Sequence, residues 1–385
     1  MSQPAASCRP QGRHLVLLGA GHAHLHLLRH AARFRRAGHA VTLVAPGPFW
    51  YSGLATGMLG GRHDAAADQI DVAALAAQGG VRFVRDSATG LNRAARLVRL
   101  AAGAPLAYDA LSVALGSSVA PLPDTAPEAL PMITGAKPIA GLWALREALE
   151  RGFRAGTGPA RIVVAGGGVT GCELAANLAA LVRRQGAAAS VSLVCPPGEL
   201  LRSLRPSAAA GVIRALQDQD IMLRQDGPVR AVRPGLLHLP EGRQLPFDLL
   251  VNASGLVPPA VLRGFGLPLD AGGALLVDRQ LRSLGDPRVH GAGDCVAIAG
   301  HPLPRAGVQA VRQAPVLLHN LLAALGTGAP RAFRPRPGAL WIMNLGDGTG
   351  LANYGALHWR GRPALLLKDW IDQRFMRRHR SVIRG

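Results

Sequence analysis

The chain has 385 residues, 49% of them apolar and 17% charged, which excludes a small module and a disordered polymer and predicts roughly two to three domains. No apolar run approaches the roughly 20 residues of a membrane-spanning helix, and Met1 to Arg13 lacks the apolar stretch of a secretory signal. The expectation is therefore a cytoplasmic protein, either free or held on the cytoplasmic face of the membrane. The net charge of +20 favours anionic partners. With 4% aromatics and no basic stretch interleaved with stacking residues before the last helix, nucleic acid is not expected among them.

Taken in chain order, the first element is a short buried-strand pattern, His14-Leu-Val-Leu-Leu18. It runs into Gly19-Ala20-Gly21-His22-Ala-His24, an apolar helical stretch to Phe34, and a second strand, Ala40-Val-Thr-Leu-Val44. Strand, glycine turn, helix and strand within about 30 residues make a mononucleotide-binding unit. Gly19 permits the tight turn, and Gly21 lets backbone approach a pyrophosphate at the helix N-terminus, where free N–H groups favour anions. His24 stands where a third glycine is expected, and Ala45 where an acidic residue usually follows the second strand.

A second copy starts at Arg161-Ile-Val-Val-Ala165 and continues through Gly166-Gly-Gly168-Val-Thr-Gly171-Cys-Glu173, a helix, and the strand Ser190-Val-Ser-Leu-Val194. All three glycines are present. Cys195 replaces the acidic residue that would favour NAD, and Arg202 and Arg205 follow, so NADH and NADPH both stay open. Two such units point to an α/β flavoprotein with two Rossmann-like dinucleotide-binding domains, one for FAD and one for a nicotinamide nucleotide.

Further along, Tyr108-Asp109-Ala-Leu-Ser-Val-Ala-Leu-Gly116 and Phe247-Asp248-Leu-Leu-Val-Asn-Ala-Ser-Gly255 read as strands returning the chain to each unit. Val289-His-Gly-Ala-Gly293-Asp294 follows. This order resembles the type II NADH:quinone dehydrogenases of the pyridine nucleotide–disulfide oxidoreductase superfamily. The Gly-His-Ala-His turn, Tyr51-Ser52-Gly53 and Lys-Asp-Trp-Ile-Asp are most similar to the subgroup found fused to selenide, water dikinase. The resemblance implies hydride transfer from NAD(P)H to FAD and two electrons passed to a quinone. Gly293 and Asp294 would form the second FAD motif. Gln309 and Gln313, four apart on one helix face, would lie near the quinone, and Glu173 either near the nicotinamide or as a tether of its helix. It also implies FAD-domain segments 1–120 and 246–335, a nicotinamide domain at 121–245, and a C-terminal portion at 336–385.

Only two of the 43 basic residues, Lys137 and Lys368, are lysines. A lysine kept in so arginine-rich a chain suggests a need for its compact ammonium, and Lys137 is expected to contact the flavin. Cys8, Cys172, Cys195 and Cys295 lie far apart, so neither a Cys-x-x-Cys redox pair nor a zinc site is signalled. His22, His26 and His30 share a four-residue spacing, yet they sit on the dinucleotide turn and helix with no carboxylate to complete a metal site. The tail from Pro363 reads as one basic helix whose Leu366, Leu367, Trp370, Ile371 and Phe375 form an apolar half suited to an anionic membrane surface or to packing on the FAD domain. A sulfide:quinone oxidoreductase-like enzyme and a non-turnover redox sensor are the alternatives; a homodimer is left open.

Overall fold

The computed structural model describes residues 12–336 and 338–380; Cys8 lies outside them. Two five-stranded parallel sheets carry the architecture. In the first, Val289–Gly291, Ala110–Val113, His14–Leu18, Ala40–Val44 and Arg82–Val84 lie side by side in that order. In the second the order is Ile133–Gly135, Leu249–Asn252, Arg161–Ala165, Ser190–Val194 and Met222–Arg224. The four strands around the glycine turns form with their expected bounds, and the two returning segments form the shorter strands Ala110–Val113 and Leu249–Asn252, because continuous Leu/Val runs suit parallel strands covered on both faces. Leu15, Val16 and Leu18 are fully buried, as are Val164 and Leu193 of the second sheet.

In each sheet the strand that leads into the glycine turn is central, paired with its successor on one side and with a later returning strand on the other. Leu17 is in register with Leu43 and Ser112, and Val164 with Leu193 and Val251. Strand order reverses at that point, so a crevice opens beyond the strand ends, where nucleotides bind in open α/β sheets.

A C-terminal unit completes the fold. Trp341–Asn344, Gly350–Tyr354 and Leu357–Gly361 form an antiparallel sheet, and the helix Arg362–His379 packs on it. The predicted single tail helix forms, but its buried face differs from the expected apolar half. Ala364, Leu365, Asp372, Met376 and His379 are buried, while Leu366 and Trp370 are exposed. A helical wheel scores Asp372 as outward; here it finds partners inside the protein. The first helical stretch also breaks, into His22–Arg29 and Ala32–Arg36.

Candidate functional site

Both glycine turns are tight enough to refuse a side chain. Gly19 has φ +85°, and a Cβ on either Gly19 or Gly21 would lie 2.6 Å from the Ala114 carbonyl oxygen. In the second turn Gly166 has φ +133°, and a Cβ on Gly171 would fall 1.9 Å from the Gly166 oxygen. Gly21 and Gly168 are the N-caps of helices His22–Arg29 and Val169–Arg184, and neither helix has a side-chain cap or an acid in its first turn. The first N–H groups of both helices are thus left for an outside acceptor, and the dipole favours an anion there.

His24 does not face that anion position. Its ring is fully buried, with Nδ1 2.5 Å from the Gly19 carbonyl and Nε2 2.8 Å from Ser112 Oγ. It pins the turn to the neighbouring strand, and burial holds its pKa down at about 4, so it is neutral. Sequence placed it with the phosphate-facing residues; the absent third glycine is instead filled from within the sheet.

His22 projects the other way. Its ring stands edge-on to Phe49 at 4.9 Å and to Tyr51 at 5.7 Å, and 5.5 Å from Phe375 of the C-terminal helix. Tyr51 stacks on Phe375 at 4.5 Å. Gly307, at the start of helix Gly307–Ala324, closes this wall: a Cβ there would sit 3.3 Å from the His22 ring and 3.6 Å from Ser52 Oγ.

Lys137 Nζ donates to Ser117 Oγ at 2.6 Å and to Asp294 Oδ2 at 3.0 Å, and Ser117 Oγ donates to the same carboxylate oxygen at 2.8 Å. Gln313 Oε1 accepts from the Gly293 N–H at 2.7 Å, holding the Gly293–Asp294 turn. Gln309 is also buried, but its Oε1 has no partner. Both glutamines line a cavity of about 180 Å³ with Gly293, Asp294, His301 and Arg305.

A family model described as pyridine nucleotide-disulphide oxidoreductase matches residues 13–314. The chain belongs to this family. It is an FAD-dependent pyridine nucleotide oxidoreductase, with FAD and a nicotinamide nucleotide as cofactors. The chain is 26% identical to the Castellaniella defragrans protein named "Probable ferredoxin reductase CtmF", over 86% of this chain and 78% of that one. An NADH dehydrogenase-like protein of Mycobacterium tuberculosis is 30% identical over 61% of this chain and 60% of its own. Rubredoxin-NAD(+) reductase of Alcanivorax borkumensis is 32% identical over 40% of each, so the match spans two-fifths of that protein. Among solved structures, NDH2 from Plasmodium falciparum in complex with NADH superposes with TM-score 0.80 at 15% identity, covering 96% of this chain and 97% of that one. Sulfide:quinone oxidoreductase from Aquifex aeolicus does so with TM-score 0.78 at 16%, covering 96% and 92%.

The residues present suit the family's cofactors: two uncapped helix N-termini behind cramped glycine turns accept diphosphates, and the orphaned Gln309 oxygen waits for a donor. Gly116, Gly255 and Gly293 have φ of +71°, +156° and +84° and no backbone within 4 Å of a built Cβ. They permit sharp turns at the strand ends, and Ala20 lies between the first two glycines, partly buried against the core.

Glu173 is a tether. Its Oε1 accepts from the Asn344 N–H at 2.7 Å, and Asn177 Nδ2 donates to the Glu173 and Asn344 carbonyls at 2.8 and 3.2 Å. Burial raises its pKa, opposed by Lys368. The sequence reading missed the far side of the wall. Tyr51 Oη donates to Asp372 Oδ1 at 2.8 Å, and Lys368 Nζ donates to Asp372 Oδ2 at 2.6 Å and to the Gly53 carbonyl. A signal existed, since Lys368 is the chain's other lysine. Among the described residues no cluster of metal-binding type occurs.

Proposed function

We propose that the protein passes two electrons from NAD(P)H to a quinone: NAD(P)H, a proton and quinone give NAD(P)⁺ and quinol. FAD supplies the chemistry of accepting a hydride and passing on its electron pair. On this reading the first sheet and its turns hold FAD, and the second holds the nicotinamide nucleotide on Gly166, Gly168 and Gly171; because Leu249–Asn252 is a strand of the second sheet, the expected boundary at 245 moves past residue 252. Lys137, neutralising Asp294, keeps the flavin end of the site from carrying an uncompensated negative charge. Gln309 offers its free Oε1 to a hydrogen-bond donor on a bound ring.

The observation that carries the quinone reading is the surface of the C-terminal unit. Five of the nine exposed large apolar side chains among the described residues fall between 354 and 370: Tyr354, Leu357, Trp359, Leu366 and Trp370. Arg374 lies over the Trp370 ring at 5.4 Å, Arg362, Arg377 and Arg378 of the same helix are exposed, and Arg360 on the preceding strand is paired with Asp347. Apolar and aromatic tips among arginines suit the headgroup layer of an anionic membrane, where quinone is dissolved. No helix of the described residues is long and apolar enough to cross a membrane.

A sulfide:quinone oxidoreductase role, with sulfide as the electron donor, fits less well. Cys172, Cys195 and Cys295 are buried and unpaired, with thiols pushed up to about 12, 11 and 11 by burial, which suppresses the reactive thiolate. A small acidic iron–sulfur protein is the second reading, favoured by the net charge of +20 and by the ferredoxin and rubredoxin reductases among the relatives. The segments that resemble the selenide, water dikinase-fused subgroup support that assignment by meeting in space, through His22, Tyr51, Gly53, Lys368 and Asp372.

Anaerobic titration tests the function. The flavin spectrum should bleach with NADH or NADPH and return on adding a soluble quinone, and the protein should float with anionic vesicles. Reoxidation by rubredoxin or ferredoxin alone would replace the quinone reading with the second one.

A further inference from the structure

We propose that Asp68, acting through Asp372 and Tyr51, stores and delivers the proton that quinone reduction needs beyond the hydride. The inference rests on the quinone reading above. Asp68 ends the short helix Ala65–Asp68 beneath the C-terminal helix; its side chain is fully buried, and neither carboxyl oxygen has a hydrogen-bond partner. An ionised carboxylate in such a place costs several kcal/mol, whereas a protonated one does not.

Its surroundings agree. The Tyr51 N–H donates to the Asp68 backbone carbonyl at 2.9 Å, and the Tyr51 hydroxyl and the Lys368 ammonium both donate to Asp372. Asp68 feels Asp372 and Lys368 electrostatically, and so does Glu173 from the helix on the opposite side. Three carboxyls, Asp68, Asp372 and Glu173, thus share one ammonium. Asp372 takes it by direct contact and Glu173 is held by the Asn344 N–H, leaving Asp68 without a counter-charge or a hydrogen bond. Burial raises Asp68 to about 8 against the opposing pull of the Tyr51 N–H, with Asp372 adding to the rise and Lys368 opposing it. Nearby His63 is lowered by burial and stays neutral at pH 7; Asp369 pairs with Arg62, and Arg380 is spent on the Ala66 and Ala67 carbonyls.

The proton count calls for such a store. Quinone takes two electrons and two protons, and a hydride brings two electrons and one proton. The second proton leaves Tyr51 Oη for the quinone oxygen as Asp372 returns one to Tyr51, and Asp68, which touches neither at rest, turns its carboxyl onto Asp372 to replace that proton. Asp68 is left as carboxylate and is reloaded from water. Tyr51 itself is raised by burial and Asp372, so its proton leaves only as another arrives. An iron–sulfur acceptor takes electrons alone and gives this acid no task.

The test uses the full-length FAD-loaded protein and two variants, Asp68→Asn and Tyr51→Phe. Infrared spectroscopy reads the protonated carboxyl directly, and turnover is compared between quinone and ferricyanide, which accepts electrons without protons. We expect a protonated-carboxyl band at pH 7 that Asp68→Asn removes. The wild-type quinone-to-ferricyanide ratio should fall as pH rises past about 8, and both variants should lower it at pH 7 by roughly tenfold or more. The absence of that band in wild type, or an unchanged ratio in both variants, would overturn the proposal alone. Wild-type turnover with ferricyanide but none with quinone would remove the quinone reading and this inference together.

Discussion

Replacing Lys137 with methionine isolates one contact. The ammonium donates to Ser117 and Asp294 in a setting where the two ionic side chains are 22% and 12% exposed. Methionine fills most of the space but leaves the Asp294 carboxylate with the Ser117 hydroxyl as its close donor. Stranding a fully buried charge costs about 3–5 kcal/mol, and the partial exposure here reduces that to about 2–3 kcal/mol, roughly 30- to 150-fold in an equilibrium constant. The expected loss appears in urea unfolding of FAD-free protein. Asp294→Asn in the Lys137→Met background should restore most of it, because the amide needs no counter-charge. Lys137→Arg should not substitute, since a planar fork cannot occupy the same point. If Lys137→Met and Asp294→Asn add to within about 0.5 kcal/mol, the pair is not energetically coupled and the argument fails.

Gly171→Ala puts a Cβ 1.9 Å from the Gly166 carbonyl oxygen, so the protein should remain yellow while NADH and NADPH no longer bleach it; an undiminished nucleotide affinity would contradict the second turn's role. His24 carries a pH signature. Burial lowers its folded pKa to about 4 from an ordinary 6.5, so between those values the unfolded chain binds the extra proton and stability falls as pH falls. About 2.5 kcal/mol should be lost from this residue between pH 7.5 and 4.5, and a His24→Asn protein should show a correspondingly shallower acid limb in urea midpoints. Arg146 donates to the Met58 and His63 carbonyls at 2.9 and 2.6 Å and to Glu150 at 2.8 Å while only 11% exposed. Arg146→Met should cost about 2–4 kcal/mol by thermal unfolding, with its pairing to the exposed Asp64 contributing little of that.

The parallel strands were legible because continuous burial leaves a plain mark: Leu15–Leu18 and Ile162–Ala165 have no polar residue to interrupt them. The glycine turns were legible because their backbone crowding excludes other residues. What the sequence hid is tertiary. The link between Tyr51 and Asp372 joins residues far apart in the chain, and no local pattern announces it. The tail helix misled for the same reason: periodicity treats Lys368 and Asp372 as solvent-facing, yet a carbonyl and a phenol on another loop turn that face inward and leave Leu366 and Trp370 outside. His24 likewise looked like a defect in a fingerprint until Ser112, on the adjacent strand, supplied its partner. The compositional argument for Lys137 applied equally to Lys368, and both lysines end in ion pairs with aspartates, at 3.0 and 2.6 Å.

The C-terminal unit grips both halves of the molecule at once, through Asn344 on Glu173 and through Lys368 and Asp372 on the Tyr51–Gly53 loop. It works as a yoke. Swinging one half away from the other would break these attachments, so the unit loads any hinge opening with the cost of its hydrogen bonds, about 0.5–1.5 kcal/mol each.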